Sequence, residues 1–118
     1  QDWALLQLGT PAMHGVSRLI LDTRHFKGNF PESVKVEGCF IDNSEELENA
    51  KWFPLVPRTR MGPDSEHVFT REKGQVEHAH HPVSHVRVSI YPDGGLSRVR
   101  LYGPTNIEGE QTIIRSLL

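Results

Sequence analysis

His85-Val86-Arg87-Val88-Ser89-Ile90-Tyr91 and Leu96-Ser97-Arg98-Val99-Arg100-Leu101-Tyr102 flank the segment Pro92-Asp93-Gly94-Gly95. Each flank alternates apolar with polar side chains, the period-2 pattern of a strand with one buried face. Asp-Gly supplies the positive φ angles of a tight turn, so the stretch is predicted to form a β-hairpin. Val86, Val88, Ile90, Val99 and Leu101 then share the core face. His85, Arg87, Ser89, Tyr91, Arg98, Arg100 and Tyr102 share the other.

Working outward, strands are expected from Trp3 to Leu8, ended by Gly9-Thr10-Pro11, from Val16 to Leu21, and from Ser33 to Ile41. Gly38 inside the third marks a bulge or a close backbone approach. Ser44 to Ala50 reads as one helical turn capped by Ser44 or Asn43. The prolines of Trp52-Phe53-Pro54-Leu55-Val56-Pro57 confine that segment to a sheet edge. Residues 58–65 read as loop, Glu66 to Arg71 as a short strand, 72–82 as an exposed loop, and the tail from Thr105 is expected to fray. Eight prolines, ten glycines and no helical period in 118 residues point to an all-β fold, an antiparallel sandwich or jelly roll.

The composition narrows the function classes. At 118 residues the chain has room for one core. Charged residues make up 24% and hydrophobic ones 36%, which excludes charge-driven disorder and fibrous classes. A net charge of −2 and a pI near 6.4 give no basic field, so neither nucleic acid nor an anionic membrane is an expected partner. No run approaches the roughly 18 apolar residues of a membrane span, and no targeting signal is visible, so an intracellular location is expected. The lone Cys39 cannot form an internal disulfide, in keeping with a reducing compartment. Position 1 is Gln and the first strand opens without a lead-in, so the domain is expected to span residues 1–104, truncated at its N-terminus, with a tail at 105–118. A sheet edge is then expected to lie unpaired near Trp3.

Two groups carry candidate chemistry. Arg87, Arg98 and Arg100 on one hairpin face form a candidate anion-recognition surface, because the planar guanidinium fork matches a carboxylate. The same pattern fits a solvated sheet face on which arginine stems cover apolar neighbours. Asp22-Thr23-Arg24-His25-Phe26-Lys27-Gly28-Asn29-Phe30 places an acid, an imidazole and an amide in one glycine-containing loop. Asp22 is positioned to orient His25 for proton transfer, or else Asp22 and Asn29 serve the turn backbone while Phe26 and Phe30 fill the core edge. In Glu77-His78-Ala79-His80-His81 an extended chain would turn His78 and His80 the same way, but no preorganised third and fourth ligand accompanies them. No metal site or other cofactor is therefore predicted, and metal dependence is left open. Nucleophile-elbow, phosphate-loop and dinucleotide motifs are absent.

Taken in order, Asp2-Trp3-Ala4, Gly15-Val16, Asp22-Thr23-x-His25-Phe26-x-Gly28-Asn29, and Ser84-His85-Val86-Arg87-Val88-x-Ile90-x-Pro92-Asp93-Gly94-Gly95-x-x-Arg98-x-Arg100-x-x-Gly103 resemble the allantoicase repeat. The blocks cover residues 2–103, and the His-x-Arg strand joined through Pro-Asp-Gly-Gly to Arg-x-Arg is their most specific part. The 23–29 and 35–39 segments look more like the family's second repeat than its first. The resemblance implies a discoidin-like, galactose-binding-type jelly roll and a partner repeat in the same enzyme. It also implies hydrolysis of allantoate to ureidoglycolate and urea in purine (ureide) degradation. The family's upstream strands and its Asp-Gly-Trp-Glu-type motif do not occur in this sequence.

Allantoate carries one carboxylate and two ureido groups, so its site needs a guanidinium fork, amide or acid partners, and an acid–base pair. Under the resemblance Arg98 is assigned to the carboxylate, with Arg87 and Arg100 as alternates. His25 is the acid–base group oriented by Asp22, Asn29 contacts a ureido group, and Asp93 is a turn residue. A homo-oligomer is expected. The competing readings are a non-catalytic jelly-roll module binding a carbohydrate or small anion, and a family member without activity.

Overall fold

The computed structural model describes residues 2–42, 44–92, 96–104 and 110–116. Along the chain come β1 (Asp2–Ala12), β2 (Arg18–Asp22), β3 (Ser33–Cys39), a 3-10 turn at Ser44–Asn49, β4 (Phe53–Arg60), β5 (Glu66–Thr70), β6 (Val83–Tyr91), β7 (Arg98–Pro104) and β8 (Glu110–Ser116). They form two four-stranded antiparallel sheets, ordered β1-β6-β3-β4 and β5-β2-β7-β8. Leu19, Leu21, Val99 and Leu101 from one sheet pack with Val34, Val36, Leu55, Val86 and Val88 from the other in a single core. The all-β sandwich expected from the alternation is the observed fold.

The hairpin is not. β6 lies between β1 and β3, whereas β7 lies between β2 and β8 in the opposite sheet. The chain crosses the sandwich between Tyr91 and Arg98, and Asp93, Gly94 and Gly95 of the expected turn fall outside the described residues. Alternation reports which side chains are buried but does not name the neighbouring strand. A hairpin sets two core faces side by side; a crossing sets them against each other, and the same valines are buried either way. β6 finds apolar neighbours on both flanks, with Val86 opposite Leu6 and Gly38, and Val88 opposite Ala4 and Val36. That central position buries it more completely than one partner strand would.

Two boundaries also shift. β1 continues through Gly9-Thr10-Pro11 to Ala12, with its register slipping between Gln7 and Ala12. As an edge strand with an irregularity there, it accommodates a proline that lacks a donor. The tail supplies β8, which pairs with β7 from Val99 opposite Ser116 to Pro104 opposite Glu110. Fraying was the wrong expectation for 110–116, because pairing there covers the otherwise open flank of β7.

Of the other readings, the exposed loop at 72–82 does not hold, because Val76 and Ala79 are buried in the core; the sheet-edge and glycine readings do. β4 is an edge strand, as Pro54 and Pro57 require, and it extends to Arg60 into the segment read as loop. A Cβ on Gly38 would sit 3.1 Å from Leu55 Cδ1 and 3.4 Å from Phe53 Cε1, so the glycine marks a close approach of β3 to β4. β1 is the opposite edge of that sheet, and Trp3 on it is 60% exposed.

Cys39, at the end of β3, is fully buried and its thiol is unpaired with any other cysteine. Burial raises its pKa, against a smaller opposing pull from the charge of Arg87. The thiolate is the reactive form, so the folded protein is expected to resist labelling by a thiol reagent at neutral pH. Stoichiometric colour should develop only after guanidinium chloride is added. Rapid labelling of the native protein would show that this end of β3 is open.

Candidate functional site

The outer face of the β5-β2-β7 sheet brings Asp22, Arg98 and Glu66 into one row, since Asp22 is opposite Glu66 on β5 and opposite Arg98 on β7. Side chains two apart on a strand share a face, so Arg100 joins them one step along. Asp22 is almost completely buried there. Its carboxylate accepts from the Arg24 backbone N–H at 2.8 Å, from Arg24 Nε at 3.1 and 2.9 Å, and from Arg24 Nη2 at 2.7 Å. Arg100 Nη2 lies 3.9 Å from the same carboxylate and 2.5 Å from Glu66 Oε2, which Arg24 Nη2 also approaches at 3.3 Å. Two arginines and two carboxylates thus form one closed, charge-neutral network. Burial alone would raise the Asp22 pKa. The hydrogen bonds from Arg24 and the charges of Arg24 and Arg100 outweigh it and hold the carboxyl below its ordinary 3.8.

This network corrects one expected partnership. Asp22 does not orient His25, because its oxygens are occupied by Arg24, two residues on. His25 is instead placed by its backbone: φ is 75°, and its N–H donates to Asp64 Oδ1 at 2.7 Å. Histidine is one of the side chains that tolerates this left-handed conformation. The imidazole is exposed and makes no hydrogen bond among the described residues. The loop is tied to its neighbours by Thr23, whose Oγ1 donates to the Gly62 carbonyl at 2.7 Å and whose N–H donates to the Ser65 carbonyl at 2.8 Å. Ser97 closes the other side: its N–H donates to the Asp22 carbonyl at 2.7 Å, and its hydroxyl to the Arg24 carbonyl.

The three arginines are divided. Arg87 lies on the other sheet, where Nε donates to Glu37 Oε1 at 3.1 Å and the guanidinium sits 4.5 Å from the Trp52 ring centre. Arg100 is neutralised by Glu66. Arg98 has no side-chain hydrogen bond or ion pair among the described residues. It shares the end of the sheet with the His25 loop, which also carries the exposed Asn29. A cleft of about 520 Å³ runs beside that loop, lined by Gly28, Phe30, Glu32, Arg60, Met61 and Pro63 among others.

Sequence reasoning left Arg24 and Glu66 without a role. Arg24 was legible as an i+2 partner of Asp22, whereas Glu66 depends on the pairing of β2 with β5, which no local pattern reports. The same holds for His67, which bridges strand and loop: Nε2 accepts from the Gly62 N–H at 2.8 Å, so Nδ1 carries the proton and donates to the Leu21 carbonyl at 3.0 Å. In the histidine-rich loop the rings that meet are His78 and His81, edge to face at 5.1 Å, and both lie against Phe53. His78 Nδ1 is 2.9 Å from the Pro54 carbonyl oxygen. The expected alignment of His78 with His80 gives way because His78 has a φ of 50°, which breaks the extended run.

Known proteins share this sequence and fold. The family model for the allantoicase repeat matches residues 1–106. The chain is 41% identical over 104 residues to the allantoicase of Saccharomyces cerevisiae, covering 86% of this chain and 28% of that protein. It is 40% identical over 106 residues to a probable allantoicase of Pseudomonas paraeruginosa, covering 86% and 30%. The crystal structure of the S. cerevisiae allantoicase superimposes with a TM-score of 0.69 at 39% identity, over 86% of this chain and 27% of that one. The chain therefore spans under a third of the curated relatives it matches. Among the described residues no helix is long and apolar enough to cross a membrane.

Proposed function

Because the chain belongs to the allantoicase repeat family, we propose that it is one repeat, the second, of a two-repeat hydrolase that converts allantoate to ureidoglycolate and urea. In that reading the protein acts in purine degradation as an intracellular homo-oligomer. The observation that carries the site is the charge balance at the end of the β5-β2-β7 sheet. Arg24 and Arg100 are matched by Asp22 and Glu66, and Arg98 stands beside them with its fork uncommitted. Arg98 binds the allantoate carboxylate. Arg87 and Arg100, already engaged with Glu37 and Glu66, serve the fold instead.

His25 supplies the acid–base group, directed by its backbone and Asp64 rather than by Asp22. In the hydrolysis, water adds at the carbon that bears the ureido groups, and that carbon's bond to one ureido nitrogen breaks. The leaving nitrogen takes a proton and departs as urea, and the attacking water loses one. An exposed imidazole, with one nitrogen to accept and one to donate, can carry both transfers in sequence. Asn29 offers a carboxamide to the remaining ureido group. Asp22 is a positioning residue that holds Arg24 and so the start of the loop.

The test is urea release from allantoate by the full two-repeat protein. Arg98→Ala is expected to lower kcat/KM about 10- to 100-fold, the loss of one charge-assisted contact, while Arg87→Ala leaves it unchanged. Unchanged turnover in Arg98→Ala would remove Arg98 from the site. No urea release from the wild-type protein would favour a non-catalytic binding module.

A further inference from the structure

At the far end of the β1-β6-β3 sheet from the His25 loop lies a second recess, of about 350 Å³, to which no function has been attached above. Gln7, Gly9, Asp42, Ser84 and His85 are among its lining residues. His85 is 6% exposed, and Ser84 has the same exposure. The Ser84 hydroxyl is the hub: its Oγ accepts from the Ile41 N–H at 2.9 Å and lies 2.9 Å from His85 Nδ1 and 3.3 Å from the Cys39 carbonyl. His85 makes no other hydrogen bond among the described residues, so Nε2 is left as the uncommitted polar atom of a buried ring. Burial pushes the imidazole below its ordinary pKa of 6.5, which keeps the ring neutral at pH 7.

Nε2 itself is not sealed off from solvent, so a group entering the recess that His85 lines can reach it and take the place of water. The Ser84 hydroxyl can direct its hydrogen to His85 Nδ1 or to the Cys39 carbonyl. The first choice makes Nε2 a donor and the second makes it an acceptor. Gln7 is directly opposite His85 across the β1–β6 pair, on the same face, and brings a carboxamide with both a donor and an acceptor end. Asp42 adds a carboxylate, and no lysine or arginine lines the recess. Anions are therefore disfavoured, which separates this site from the one built on Arg98.

We propose that this recess binds a small neutral ureido or carboxamide group, with His85 Nε2 and the Gln7 amide as its hydrogen-bond partners and Asp42 accepting from a ligand N–H. Such a group is planar and carries N–H and C=O on one edge, the complement of the adaptable imidazole and the carboxamide. The assignment does not depend on the allantoate reading, because it uses none of the residues given a role there.

The probe is N-ethylurea, titrated into the full-length protein and followed by saturation-transfer NMR of the ligand. Binding in the millimolar range is expected. His85→Phe, which keeps the ring and removes its nitrogens, should weaken it at least about tenfold, and Gln7→Ala about threefold. Arg98→Ala should leave it unchanged. Gln7 is exposed, so its variant decides the matter if His85→Phe does not fold. Absence of saturation transfer to the wild-type protein overturns the proposal. So does an affinity that both variants retain, or one that falls with Arg98→Ala instead.

Discussion

Gly15→Ala is expected to cost about 2–5 kcal/mol, enough to remove much of the stability of a small domain. Gly15 has φ +85°, and a Cβ built there would lie 1.9 Å from the Ala79 carbonyl oxygen, 2.7 Å from its carbon and 2.9 Å from His80 Cα. All three are backbone atoms, so no side-chain rotation relieves the clash. The Ala79 carbonyl is also the acceptor for Arg71 Nη2, which ties down the segment that would have to move. Gly74→Ala separates the two contributions, because Gly74 has φ +70° with nothing within 4 Å of its would-be Cβ. That variant should lose only about 1 kcal/mol, from the left-handed backbone alone. Urea denaturation midpoints of the two variants measure the difference. A wild-type midpoint in Gly15→Ala would mean that the 72–82 segment does not pack against Gly15 in solution.

The second large effect is at Asp22. Asp22→Ala removes the acceptor of four hydrogen bonds from Arg24 and leaves the Arg24 backbone N–H without its partner. Arg24 is 46% exposed and rehydrates when its partner is lost, so the expected cost is that of losing a charged hydrogen-bond acceptor, about 2 kcal/mol. The same pair governs acid stability. The folded chain holds the Asp22 carboxyl below its ordinary 3.8, so it binds fewer protons than the unfolded chain as pH falls past that value. The stabilisation is fully present above that value and is lost as pH drops through the folded-state pKa. Asp22→Asn should therefore show a shallower loss of stability on acidification than the wild-type protein, measured by denaturant melts at descending pH. An identical acid profile would place the sensitive carboxylate elsewhere.

What the chain disclosed in advance divides along a physical line. Period-2 alternation at 85–91 and 96–102 identified two strands and the side chains they bury, because each side chain's exposure is decided locally by the pleat. It assigned the wrong partner, because pairing is a contest among all strands. Leu6 and Val36 compete for β6 as effectively as Val99 does, and nothing between Tyr91 and Arg98 records the outcome. The loop at 22–30 was legible as a candidate site because an acid, an amide and glycine cluster there. Its electrostatics were not: Arg24 and Glu66 settle the charge of Asp22, and Glu66 arrives from β5 across a sheet. Likewise three arginines in alternation suggested one surface, and the crossing of the chain put Arg87 on the other sheet.

That crossing also sets the order in which the chain can assemble. Within the described sheets only β3 and β4 pair with a neighbour close in sequence before β6 is made; β1 waits for residues 83–91, and β7 cannot cover β2 until residues 98–104 follow. Among the described strands β1, which carries Trp3 and Leu5, therefore waits for residues 83–91 before its partner exists. Contacts this distant place the repeat among slow folders, in the range of milliseconds to seconds for all-β domains. Before residue 83 is made, β1 lacks the strand it pairs with in this fold, and exposed apolar strands are what chaperones intercept.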